Sequence, residues 1–161
     1  MRTQSAEPTA LKDPEIPVQV KLAAAWTSFM FLYVYVDVLG FYKPGIVEGI
    51  LDGKVWEFDI SQTFFASALA ASAIPVLMIL LSTILAARAN RLVNLVVATL
   101  LIPWMAFNLA GGEWLYYFGL GFAIELGVLL FILRTAWTWP RMSVAPTPQV
   151  ATHGSPVRMG R

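Results

Sequence analysis

Glu125 stands near the middle of an otherwise apolar run, Trp114 to Leu133, at a depth where an ionisable group costs several kcal/mol unless it is paired, neutralised or hydrated. No Lys or Arg occurs between Arg91 and Arg134, and Arg134 lies about 14 Å further along the same helix. An ion pair is therefore not the expected solution. What remains is a neutral carboxyl, or a carboxylate that meets water, a cation or a basic ligand. Both a functional reading (proton or cation handling, or binding of a polar ligand group) and a structural one (a protonated Glu holding helices together) follow from that position.

Asp37 is the second acid of interest. It falls near the end of the first apolar stretch, where the helix dipole disfavours negative charge, so it needs compensation from Lys43, Tyr116, Tyr117 or Asn108 at similar depth. Tyr33 precedes it by one helical turn on the same face, and depth-matching places Tyr33, Ser72 and Thr99 near the level of Glu125. Tyr117, Gly121 and Glu125 repeat at every fourth position, which turns the carboxyl toward a closely approaching neighbour helix rather than toward lipid.

The elements that must position these groups follow from hydropathy. The chain is 58% hydrophobic and 13% charged, with a mean hydropathy of +0.67. That is too apolar for a soluble domain of this size. Four apolar spans are expected at about 22–40, 64–86, 92–109 and 114–133, each long enough to cross a hydrocarbon core of about 30 Å. Pro75 and Pro103 fall inside the second and third and read as kinks, because neighbouring helices re-satisfy the freed carbonyls. The expected fold is thus all-α, a membrane-embedded antiparallel four-helix bundle over 22–140. A polar tail (1–21) precedes it and a disordered tail (141–161) follows.

Residues 87–91 and 110–113 are short enough to turn the chain straight back, which makes the last three spans antiparallel neighbours. The longer connection from Phe41 to Thr63 alternates Trp56, Phe58 and Ile60 with Glu57 and Asp59, and reads as an interfacial hairpin or cap. Arg2, Lys12, Lys21, Arg88, Arg91, Arg134, Arg141, Arg158 and Arg161 fall on one side, leaving only Lys43 and Lys54 on the other. The positive-inside rule makes the first side cytoplasmic, with both termini there. Trp26, Trp114, Tyr116, Tyr117, Trp137 and Trp139 lie near span ends and fit aromatic belts. The first 21 residues lack the basic start and short apolar core of a cleavable signal peptide.

Several chemistries are excluded by composition. There is no cysteine, and the sole histidine, His153, lies in the polar C-terminal segment, so no thiolate or bundle imidazole is offered to a metal, cluster or haem. No cofactor is expected, no catalytic residue stands out, and an enzyme is the weakest class. Nothing suggests nucleic acid as a partner.

The stretch KLAAAWTSFMFLYVYVDVLGFYKPG (21–45), the Asn90-Arg91-Leu92-Val93-Asn94 segment and the closing Trp137-Thr138-Trp139-Pro140 resemble a family of small bacterial four-helix membrane proteins of unknown function. The likeness covers roughly 18–141 and is most specific at Met30–Asp37 and Gly40–Gly45. It implies the same topology and a bacterial origin, and transfers no catalytic residue.

Two functional expectations follow. The first is an accessory or scaffolding subunit that acts by association with a membrane-protein partner or with itself. Its contact candidates are the small residues Ala66, Ala70 and Ala73 of the second span, with Trp56 and Phe58 of the long connection. The second is a small proton- or cation-coupled transporter, or a binder of lipid or quinone, that uses Glu125 with Asp37, Tyr33, Asn108 and Tyr117 as neighbours.

Overall fold

Pro17 starts the first helix. Its fixed φ (−56°) and extended ψ (145°) turn the chain into a helical course, and its carbonyl accepts from the Val20 and Lys21 amides. The helix α1 then runs Val18–Gly40. The structure is a computed structural model and describes residues 14–107, 109 and 114–140. Asn108, Glu113, His153 and most of both expected tails therefore lie outside the described residues.

Beyond α1 the chain forms α2 (Ile46–Leu51), the strands β1 (Lys54–Val55) and β2 (Phe58–Asp59), then α3 (Gln62–Ile84), α4 (Ala87–Phe107) and α5 (Leu115–Trp137). Four of these, α1, α3, α4 and α5, are long and apolar enough to cross a membrane. Among the described residues the chain is all-α apart from the two-residue ladder that pairs Lys54 with Asp59 and Val55 with Phe58.

The helices run past the apolar stretches that mark them in sequence. The turn between α3 and α4 is only Leu85 and Ala86, so Arg88 and Arg91, expected in a connection over 87–91, belong to α4. The reason is that Ala87, Arg88 and Ala89 are good helix formers, and charges are no obstacle to helix where the chain leaves the apolar layer. Likewise α1 takes in residues 18–21 of the expected polar tail. At the other end of the chain α5 carries Arg134 in its last turn, where a cation suits the dipole, and closes with the Thr138 hydroxyl donating to the Arg134 carbonyl (2.8 Å). Both Pro75 and Pro103 sit inside continuous helices.

Around the bundle the order is α1–α3–α4–α5, with α5 returning to α1; α3 and α4 meet least. The core is unevenly placed. Leu22, Ala25, Trp26, Phe29, Met78, Ala98, Leu129 and Ile132 fill the half that holds the bundle's basic residues, whereas the first half of α3, residues 62–74, contributes no buried side chain. We call these halves the basic end and the hairpin end.

A buried polar network locks the basic end. The Trp26 indole N–H donates to the Asn94 side-chain oxygen (2.7 Å); the Asn94 amide donates to the Asn90 side-chain oxygen (2.7 Å) and carbonyl (2.9 Å). The Asn90 amide in turn donates to the Ser82 carbonyl (2.6 Å), one of the acceptors that the end of α3 leaves without an intrahelical donor. Trp26, Ser82, Asn90 and Asn94 are all fully buried, so α1, α3 and α4 are tied together where no solvent competes. Trp26, expected in an interfacial belt, is thus a core residue. Its proximity to a span end misleads because Asn94, on α4 diagonally across the bundle, gives its N–H a partner inside it.

The hairpin end is built differently. Gly45 (φ +86°) starts α2, and Trp56 (φ +55°) occupies a conformation that few non-glycine residues adopt. Edge-on ring contacts to Phe58 and Phe107 (centroids 5.9 and 6.4 Å) hold it there, and Phe58 stacks on Phe64. Ser61 caps α3 by accepting from the Phe64 amide (3.1 Å).

Candidate functional site

The two acids of the spans are brought together where α5 crosses α1. Gly121 makes this possible: a Cβ on it would lie 2.9 Å from Val36 Cγ2, closer than real contacts allow, so glycine lets the two backbones approach. One turn before it, the Tyr117 hydroxyl donates to the Val36 carbonyl (2.7 Å). With Gly121 beside Val36 on antiparallel helices, one further turn along α5 brings Glu125 to the level of Leu32 and Tyr33.

Burial grades from rim to floor. Asp37 is exposed, Tyr33 one turn deeper is half-buried, and Glu125 is only 4% exposed. The charge of Asp37 acts on Tyr33, Tyr117 and Glu125, and that of Glu125 reaches Tyr33. The Tyr33 phenol is within side-chain hydrogen-bonding reach of Ser72 on α3 and Trp104 on α4. All four long helices therefore contribute polar side chains to one cluster at the hairpin end. No side chain among the described residues donates a hydrogen bond to the Glu125 carboxylate.

Of the residues expected here from sequence, Tyr33, Asp37, Tyr117, Glu125 and Ser72 converge. Thr99 does not: it is exposed, and its hydroxyl turns back to the Leu95 carbonyl (2.7 Å) of its own helix. Depth-matching sets the level of a residue but not its face, which is why it misassigns Thr99. Trp104 supplies the polar group from α4 instead. Tyr116 is 96% exposed and stands outside the cluster. Lys43 lies beside Tyr117 in a small crevice shared with Leu39 and Trp114.

The contact candidates separate. Ala66 and Ala70 are exposed on α3 and Ala73 is partly covered. Trp56 and Phe58 are exposed, yet each also packs against neighbouring rings.

Chemically, a carboxyl at the depth of Glu125, with no cationic side chain at that level and the Asp37 charge about one turn away, rests most cheaply as the neutral acid or beside a cation. Among the described residues no group of three or more His, Cys, Asp or Glu could hold a metal ion.

The close contact makes a testable contrast. Gly121→Ala should destabilise the bundle by about 1–3 kcal/mol, since Val36 is β-branched and cannot step aside. Gly127→Ala, with nothing within 4 Å of the added Cβ, should be neutral. Melting temperatures in detergent check both; equal effects would contradict the crossing described.

No curated protein and no solved structure matches the chain. A family model does, over residues 16–146. By that match, which spans the polar cluster and all four long helices, the chain belongs to a family of unknown function, DUF6326.

Proposed function

We propose that this is a multi-pass protein of a bacterial inner membrane, with both termini cytoplasmic, that takes up a proton or a lipophilic cation at Asp37 and Glu125 and works as a small coupled carrier. The orientation rests on the basic residues Lys21, Arg88, Arg91 and Arg134 gathered at one end. It makes the hairpin end external, so Asp37 faces the outer side and the hairpin lies at the membrane surface.

One observation carries the functional reading. Glu125 is almost fully buried, lacks a donor among the described residues, and has another acid as the charge acting on it. A purely structural glutamate between helices is expected to bond a neighbouring hydroxyl or carbonyl, whereas a coupling carboxyl is left to meet its ligand. Tyr33 and Trp104 add aromatic faces, which suit an organic cation.

Titration of the purified protein in mild detergent with tetraphenylphosphonium tests the reading. Saturable binding that is lost in Glu125→Gln is expected; binding unchanged by that substitution would sink it.

The accessory-subunit reading keeps one observation in its favour, the outward-facing Ala66 and Ala70 of α3, which would let a partner helix approach closely. Gentle extraction from native membranes separates the two. A stoichiometric protein partner favours the accessory role, and self-association alone favours the carrier.

A further inference from the structure

Away from the acid cluster, α1 and α5 leave between them a groove of about 670 Å³ at the basic end. Val20, Lys21, Ala24 and Ser28 form one wall, and Gly127 and Phe131 part of the other. Ser28 is the only hydroxyl among these side chains, and it is spent within its own helix, donating to the Ala24 carbonyl (3.0 Å). The groove therefore offers no polar partner along its length. Its one charge, Lys21, stands at the basic mouth. From Lys21 to Ser28 the groove follows α1 for about 10 Å, and Val20 with Ile16 extends it toward the helix start.

A second cation stands by that mouth. Arg134 is exposed and falls about one turn beyond Phe131 on the same face of α5. The antiparallel register that sets Gly121 beside Val36 brings Arg134 to the level of Ala23, close to Lys21 in depth. Glu15, just before the groove, is the acid nearest in sequence on α1's side. A dry aliphatic slot ending in two cations at the membrane surface is complementary to one kind of molecule: an amphiphile with a long acyl chain and an anionic head.

We propose that this groove is a binding site for an anionic phospholipid of the surrounding bilayer, with one acyl chain between α1 and α5 and the phosphate between Lys21 and Arg134. A second copy of the chain is a poorer fit, because self-association through this face would bring two Lys21–Arg134 mouths together without a counter-charge. The site is independent of the acid pair: Ile124 lines the groove while its neighbour Glu125 is turned into the bundle.

Native mass spectrometry of the full chain, with phosphatidylglycerol or phosphatidylcholine of matched acyl chains added, tests it. Each cation near the surface contributes about a fivefold preference, so one phosphatidylglycerol per chain should be held roughly 25-fold more tightly than phosphatidylcholine. Lys21→Gln and Arg134→Gln should each remove about a fivefold share. Gly127→Leu, placed where nothing lies within 4 Å of its Cβ, fills the slot and should abolish retention of either lipid. Equal retention of the two lipids by the unaltered protein would overturn the proposal whatever the variants do. So would lipid retention unaffected by Gly127→Leu, or a Gly127→Leu effect confined to oligomeric state.

Discussion

Replacing Glu125 with glutamine should weaken binding of a lipophilic cation at least about a hundredfold while leaving the helix content and melting temperature unchanged. The size follows from burial. Removing one partner of a buried charge pair costs about 3–5 kcal/mol, because the remaining charge is left without compensation, and Glu125 is only 4% exposed. Glutamine keeps the shape of the side chain, so packing against α1 is retained. An unaltered melting temperature with lost binding separates a ligand-binding carboxyl from a structural one. If the carboxyl served only to join helices, the loss would appear in stability instead. Asp37→Asn should have a smaller effect, a few-fold at most, because Asp37 is exposed at the rim and its charge is screened.

The second large effect is expected at the opposite end. Asn94→Leu removes the acceptor for the Trp26 indole and the donor for both Asn90 oxygens, all inside a fully buried network. Each orphaned group costs about 1–3 kcal/mol in an apolar surrounding, and interhelical bonds in membranes average somewhat less. Together they predict a loss of about 2–4 kcal/mol, or a fall in melting temperature of roughly 5–15 °C. Ser82→Ala should cost far less, since its hydroxyl lies 3.5 Å from either polar atom of Asn94. Cation affinity should survive both substitutions at temperatures where the protein stays folded. A stability loss at Asn94 no larger than at Ser82 would contradict the network.

These two ends differ in how far they can be read from sequence. Glu125 announces itself by being an acid in an apolar run, and Tyr117-Gly121-Glu125 by helical spacing, so the close approach of a neighbour helix at Gly121 is legible from the spacing alone. The identity of that neighbour is not, because it depends on how α5 closes back onto α1. Asp37 and Tyr33 are legible as a pair at one-turn spacing on α1, whereas their convergence with Glu125 needs the register that Val36 and Gly121 set. Thr99 shows the limit of matching by depth, since a residue at the right level can still face outward. Asn90 and Asn94 carry a usable signal, two amides at one-turn spacing, but hydropathy puts Asn90 in the connection before the third span, and Trp26 reads from sequence as an interfacial anchor. Only the diagonal contact between α1 and α4 assigns it to the core. Helix ends are the least legible, because hydropathy marks the apolar layer while Ala87 and Arg88 continue the helix beyond it.

The most direct test of the carrier reading is a count of protons released when the unaltered protein binds tetraphenylphosphonium in weakly buffered detergent solution. A neutral Glu125 carboxyl predicts about one proton released per cation bound while that group is protonated, because the cation takes the place of the proton on Glu125, and none in Glu125→Gln. Cation binding with no proton released from the unaltered protein would contradict it.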